Sequence, residues 1–374
     1  MCSGKKGKKA LVGLSGGVDS SLAALLLLEQ GYEVIGVTMA VYGGPAGALP
    51  APGGSACYGC DEGEDIAAAA RLAGMLGIEH HVFDCVREYK EAVLDYFRAA
   101  YLAGRTPNPC VRCNHLLKFG LLPRLAQERG VEYDYFATGH YARVEYAPER
   151  ACWLLRRGAD QAKDQSYFLY RLSQEQLGRA VFPLGGMTKK EARALAAQKN
   201  LPMHDKPDSQ DFYAGDHAEL LGMADRPGDI VDAEGKVLGR HGGHWHFTPG
   251  QRKGLGLAAP APLYVRRVDA ARNEVVVAPY AQSLSGGCAV GDLRLHAPWA
   301  LDDPALRARL RSSQPPVPAL ARLEERDGTM RVEFEHPQSG VAPGQSLVLY
   351  LGDVVVGGGV IMDWAETPYR HSGC

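Results

Sequence analysis

Apolar runs and helically spaced segments alternate through the first two hundred residues. Residues 9–14, 33–39, 80–84 and 133–138 read as strands, while 20–30, 65–76 and 86–103 carry the periodicity of amphipathic or buried helices. Such βα alternation predicts a parallel sheet with helices on both faces. Gly31 and Gly77 stand where helix C-caps belong. Only one crossover helix fits between the first two strands, so the Gly-rich turn after the first lies at the carboxyl edge of the sheet. Open α/β sheets bind their ligands at that edge. From about Lys206 the texture changes to turn-rich segments (DRPGD, AEGKVLG, TPGQRKGLG). Beyond Ala281 come short β-like runs at 331–334, 346–351 and 354–361, separated by Gly and Pro as in a small barrel or sandwich. The pattern divides the chain at 1–205, 206–280 and 281–374, with residues 43–55 a flexible Gly/Ala/Pro loop.

Composition narrows the class. With 374 residues and 46% hydrophobic content the chain can bury a sizeable core. It contains no apolar segment of bilayer length, and MCSGKKGKK at the start has charge without a hydrophobic stretch, so the expectation is a cytoplasmic protein with no membrane partner. Nine cysteines, an odd number that includes two CxxC pairs, point to metal or sulfur chemistry rather than a disulfide framework. A net charge of −2 leaves no overall basic footprint, so any nucleic-acid contact must be local.

The sharpest local signal is SGGVDSS at 15–21. Between a strand and a helix, Ser15, Gly16, Gly17, Val18, Asp19, Ser20 and Ser21 bring free backbone N–H groups and the positive end of a helix dipole to one place, which makes an anion cradle. Glycine lets oxygens approach the backbone, and the serines offer further donors. Neither GxxxxGK[ST] nor GxGxxG is present there, which disfavours a γ-phosphoryl transferase or a dinucleotide enzyme. Asp19 beside a phosphate site is repulsive unless a cation intervenes, so it implies Mg²⁺ on a pyrophosphate.

SGGxDS resembles the signature of the N-type (PP-loop) ATP pyrophosphatases, which adenylate a substrate. TPNPCVRCN (106–114), TGHYARV (138–144), KDQSYFLYRL (163–172), FPLGGMTKKEAR (182–193), RPGDIV (226–231), TPGQRKGLG (248–256) and PGQSLVLY (343–350) follow in order. Together they closely resemble the tRNA-specific 2-thiouridylase family over nearly the full length. The resemblance implies a Rossmann-like PP-loop domain, a small central tRNA-binding domain and a C-terminal β-barrel. It implies ATP-dependent replacement of the C2 oxygen of a wobble uridine by sulfur, with tRNA and a sulfur-donor protein or sulfide as partners and the enzyme acting as a monomer. It also extends the ATP site to Gly13, Leu14, Met39 and Gly139. Contacts to tRNA are implied for His140, Lys163, Asp164, Gln165, Gln251, Arg252, Lys253 and Gln345.

Adenylation turns a poor electrophile with a poor leaving group into a good one, after which sulfur needs a soft nucleophile. Cys110 and Cys113, with Arg105 and Arg112 near in sequence, are the candidates, and activation by a lowered thiol pKa is expected. By resemblance Cys113 takes the nucleophile's place. Two departures stand out. Many members carry an acid where this chain has Cys110, and many carry a second, persulfide-bearing cysteine where this chain has Tyr213 in DSQDFYAGD. Cys57 and Cys60 in CYGC are the candidate replacements. Cys57, Cys60, Cys110 and Cys113 could hold a [4Fe–4S] cluster, or Cys57 or Cys60 could carry a persulfide, or the two CxxC pairs could bind structural zinc.

The tRNA signals have plainer readings as well. His140 at a strand end suits a structural hydrogen bond, the tripeptide 163–165 a solvated helix start, and 251–253 a Gly-flanked surface turn. With Arg143, Arg156, Arg157, Arg266 and Arg267, the last of these could form the basic face that the net charge hides. A target base must leave its stack, so a pocket over Cys113 is expected.

Overall fold

The computed structural model describes residues 7–44, 56–59, 61–202, 211–213, 220–324 and 328–363. They fall into two compact units, Met1–Leu94 with Pro109–Asp216 and Asp95–Asn108 with His217–Cys374. In the first, β1 (Lys9–Gly13), β2 (Glu33–Ala40), β4 (Glu79–Asp84), β5 (Tyr135–Ala137) and β8 (Ala180–Val181) form a five-stranded sheet in the order β4-β2-β1-β5-β8. Every pairing is parallel. The predicted α/β sheet is therefore present, with β1 at its centre and Leu11 opposite both Ile35 and Phe136.

Helix α1 (Val18–Glu29) starts two residues before the predicted boundary. It is apolar nearly all round, and Leu22, Ala23, Ala24 and Leu27 are fully buried, as befits a helix enclosed by its own domain. Helix α2 (Glu62–Leu76) also starts early, because Glu62, Glu64 and Asp65 suit a helix N-terminus, and it ends at Gly77 in the left-handed conformation. Two further pieces belong to this unit. A hairpin joins β6 (Ala142–Ala147) to β7 (Cys152–Arg157). A short parallel pair joins β3 (Ala56–Tyr58) to β9 (Asp211–Tyr213), with Tyr58 opposite Tyr213.

The predicted helical run 86–103 is Val86–Tyr89, a π-helical turn Lys90–Leu94, and Asp95–Leu102. The other π-helical stretch, Cys113–Leu121, follows a short helical turn Pro109–Arg112.

In the second unit, β10 (Gly228–Val231), β11 (Val237–His241), β12 (Leu263–Asp269) and β13 (Glu274–Pro279) form a sheet in the order β11-β10-β13-β12. Ile230, Val265, Val275 and Val277 make its core. The last six strands are β14 (Leu284–Leu295), β15 (Arg307–Arg309), β16 (Val317–Glu324), β17 (Thr329–Ser339), β18 (Ser346–Leu351) and β19 (Val354–Asp363). They run antiparallel in the order β14-β17-β16-β15-β18-β19, and β19 pairs back onto β14. The sequence left barrel and sandwich open; closure makes it a barrel, which leaves no free edge strand.

The helix Lys189–Gln198 of the first unit opens with a capping box. Thr188 Oγ1 accepts from Glu191 N at 3.2 Å, and Glu191 Oε2 accepts from Thr188 N at 2.7 Å. Thr188→Ala should destabilise the first unit by about 1 kcal/mol, seen as a thermal midpoint ~2–4 °C lower; an unchanged midpoint would mean that the cap contributes nothing.

Candidate active site

SGGVDSS turns from β1 into α1, as its strand and helix patterns suggest. Gly13 ends β1, and Leu14 is fixed to β2 by its N–H to the Val37 carbonyl (2.8 Å) and its carbonyl to Thr38 Oγ1 (2.7 Å). Met39 lies near the carboxyl end of β2. Gly16 has φ +68°, and a Cβ there would stand 2.4 Å from the Asp65 carbonyl oxygen, so only glycine fits. Gly17 is the N-cap of α1 and uses no side-chain cap, which leaves the helix N-terminus to meet a ligand. The serines brace this loop from within. Ser20 Oγ donates to the Gly17 carbonyl at 3.1 Å and accepts from Ser15 N at 3.2 Å, and the fully buried Ser21 donates to the same carbonyl at 2.7 Å.

The sequence implies Mg²⁺ beside Asp19; the fold places a cation of the chain itself there. Lys189 Nζ lies 2.8 Å from both carboxylate oxygens of Asp19, and Tyr141 Oη donates to Oδ1 at 3.0 Å. Lys189 is the first residue of the capped helix, and its own N–H donates to Asp160 Oδ2 at 3.0 Å. It carries no assignment from the sequence because it sits 170 residues from its partner. Gly139 completes the arrangement: a Cβ there would lie 2.6 Å from the Asp19 carbonyl carbon and 2.8 Å from Ser20 N. The 138–141 turn can therefore press on the first turn of α1, which carries Tyr141 to Asp19.

Next to Gly139, the His140 Nδ1 lies 2.8 Å from Thr138 Oγ1, and the ring packs against Phe119 and Phe182. Burial, and then the Lys118 ammonium, push its pKa down to about 3, so the ring is neutral throughout the physiological range. Asp164 is a brace: its buried carboxylate takes Arg157 Nε at 3.1 Å and the N–H groups of Gly158 and Ser166, each at 3.1 Å. Gln165 Oε1 accepts from Tyr141 N at 2.9 Å, and Lys163 is exposed. Of the arginines assigned to a basic face, Arg156 pairs with Glu145 at 2.6 Å and Arg157 with Asp164.

The thiols form a second focus in this unit. Cys57 is exposed, Cys110 and Cys113 are partly buried, and Cys60 lies outside the described residues. The expected lowering of the nucleophile's pKa is corrected here. Burial pushes the Cys113 thiol up to about 11, against the pull of Lys118, and Cys57 adds to the rise. Nor is Arg112 its activating cation, since Arg112 Nε donates to the Ala92 carbonyl at 2.9 Å. Lys118 takes that place. Burial lowers its pKa, but the Cys113, Cys57 and Cys110 thiols outweigh this and raise it. The π-helix explains the meeting, because i→i+5 bonding brings residues five apart onto one face, and an α-helix would swing Lys118 away from Cys113. Among the described residues no three His, Cys, Asp or Glu side chains converge to hold a metal ion. Cys60, the fourth member of the cluster set that the sequence suggests, lies outside those residues.

Gln251, Arg252, Lys253 and Gln345 belong to the second unit. Gln251 fixes its turn through Thr248 N (3.0 Å) and the Lys253 carbonyl (3.0 Å), which leaves Arg252 and Lys253 exposed. Gln345 binds Pro107 O at 3.2 Å and Asn108 Nδ2 at 3.4 Å, and so holds the segment that leads into Pro109.

Family models match along the chain: a tRNA methyl transferase HUP domain at 8–213, a tRNA methyl transferase PRC-barrel domain at 221–279 and an aminomethyltransferase beta-barrel domain at 286–361. The chain is 43% identical over 364 residues to the tRNA-specific 2-thiouridylase MnmA of Endomicrobium trichonymphae, covering 95% of this chain and 99% of that protein. It is also 43% identical to the enzyme of the same name from Geobacter metallireducens, over 96% and 97% of the two chains. The like-named enzyme of Geotalea uraniireducens is 44% identical over 96% of each.

If Lys118 is the cation that acts on Cys113, Lys118→Met should move the pH profile of Cys113 alkylation to still higher pH. The rate near neutrality should fall about tenfold for every pH unit by which the profile moves. Peptide-resolved iodoacetamide kinetics would check this, and an unmoved profile would remove Lys118 from the site.

Proposed function

The chain belongs to the tRNA-specific 2-thiouridylase family, and from that premise we propose that it adenylates the C2 oxygen of a wobble uridine and then replaces that oxygen with sulfur. It is a tRNA-thiolating enzyme with a HUP-type, ATP-using domain. The observation that carries the finer reading is the Asp19–Lys189 pair at the N-terminus of α1. The α-phosphate must be attacked while pyrophosphate departs, so negative charge grows on the leaving group. The free N–H groups of α1 and the Lys189 ammonium are donors fixed in advance for that charge. Asp19 and Tyr141 hold Lys189 in place. Mg²⁺ would accompany ATP and add its charge to the same phosphates, with Asp19 the carboxylate that SGGVDSS itself offers.

From Asp19 the site runs through Gly139 and His140 to Lys118 and the thiols. That continuity supports one reaction centre in which the adenylated base meets Cys113 as the sulfur-transfer nucleophile. His140 is neutral and suits a hydrogen bond or a stacking contact to the base. A base in the single-stranded anticodon loop can be splayed out at low cost. Arg252 and Lys253 are assigned to tRNA phosphates, and the protein is assigned to the cytoplasm.

Asp19→Ala should abolish tRNA-dependent pyrophosphate release and leave tRNA binding largely intact, and Lys189→Met should lower that release roughly 10²–10³-fold. Normal release by either variant would refute the cradle assignment. Arg252→Ala and Lys253→Ala should each weaken all tRNAs alike and reduce the slope of log affinity against log salt by about 1. Loss confined to one isoacceptor would instead mean base readout.

A further inference from the structure

The π-helical run Cys113–Leu121 shows its register at its end, where Leu122 N–H donates to the Leu117 carbonyl five residues back. At 3.6 residues per turn an α-helix would set Cys113 and Lys118 about 140° apart, so their place on one face depends on the wider turn. Such turns are rare, and nine residues of one call for support from outside the helix.

Gln176 reaches in from the short helix Gln174–Arg179. It closes a capping box there: Ser173 Oγ accepts from Gln176 N at 3.1 Å, and Gln176 Oε1 accepts from Ser173 N at 2.8 Å. With the oxygen committed to the cap, the amide nitrogen must point the other way. Nε2 donates to the His115 carbonyl at 3.2 Å and to the Phe119 carbonyl at 3.0 Å, one bond for each of its hydrogens. These two oxygens are the acceptors that an α-helix would give to the N–H groups of residues 119 and 123. Residue 123 is Pro123, which has no N–H. The proline denies the α register one bond without choosing another register, and the Gln176 amide takes up both α acceptors at once.

We propose that Gln176 is a positioning residue for sulfur transfer: its two amide hydrogens hold the 113–121 segment in the π register and so keep Cys113 and Lys118 on one face. The assignment rests on Cys113 as the transfer nucleophile. Gln176 touches neither reacting group, and it acts only through the backbone that carries them.

The test separates this role from the cap. Gln176→Glu keeps the capping box, because a glutamate oxygen accepts from Ser173 N as well as the amide does, but sets a carboxylate oxygen against two carbonyl oxygens. Gln176→Met removes the donors without adding charge. Peptide-resolved iodoacetamide kinetics should show the Cys113 profile moved to higher pH in both variants, with a rate near neutrality about tenfold lower for each pH unit of movement. Either substitution placed in Lys118→Met should add nothing to the movement that Lys118→Met gives alone. An unmoved profile in Gln176→Met, or equal movement with and without Lys118, would overturn the assignment. An unmoved profile in Lys118→Met itself would overturn it at its root, by removing the pair that the register is said to join. None of these measurements needs ATP or tRNA. Pyrophosphate release by the wild-type protein with tRNA, measured alongside, tests the adenylation reading separately, and its absence would defeat that reading while leaving the alkylation result to decide on Gln176.

Discussion

The contact between Lys189 and Asp19 governs the geometry of the first unit's site. It joins the first turn of α1 to the first turn of the 189–198 helix across 170 residues of sequence, and Tyr141 reaches the same carboxylate from the turn after β5. A partly buried pair such as this is costly to break, because removing one partner strands the other charge in a poorly solvated place. Its neighbours are arranged to spare it that outcome. The capping box fixes where Lys189 begins its helix, Gln165 holds the Tyr141 backbone, and Gly139 has no side chain to hold the turn away from α1. Each is a precondition of the pair.

Lys118 obeys the opposite logic. Lys189 is matched with a carboxylate, whereas Lys118 faces thiols, which are neutral until they ionise. Burial raises the Cys113 thiol to about 11 in spite of it. In this contest desolvation is the larger effect and the ammonium the smaller. The cation therefore does not create a standing thiolate. In the proposed sulfur transfer it would lower the cost of each sulfur anion as that anion forms, which is where a preorganised charge contributes to a reaction rather than to ground-state binding.

How much of this is legible in the chain follows from the range of each interaction. The cradle is local: a strand, two glycines and a helix N-terminus within a dozen residues, so SGGVDSS reveals where the turn lies. The sheet is legible because strand and helix periods alternate cleanly, and the barrel only as a choice between two all-β closures that β-strand texture alone does not separate. Lys189 is invisible for the converse reason. A lysine in the first turn of a helix reads as solvated until the fold sets a carboxylate 2.8 Å away. Asp164 and Gln165 show the same effect in reverse. The family resemblance assigns them to tRNA and their polarity reads as a solvated helix start, yet buried backbone N–H groups need acceptors, and these side chains supply them. The π-helical register of 113–121 has no sequence mark, so the arginines at 105 and 112 read as the cations nearest Cys113, and the lysine five residues on does not.

The pairing of β3 with β9 belongs to the same class of long-range fact, and it changes what the cysteine inventory means. Read as a string, CYGC and NPCVRC are two metal-like pairs of equal standing. In the fold their members differ: Cys57 is open to solvent, and Cys113 is partly buried beside Lys118. The unequal burial of Cys57 and Cys113 is therefore a property of the fold that the two CxxC strings do not reveal.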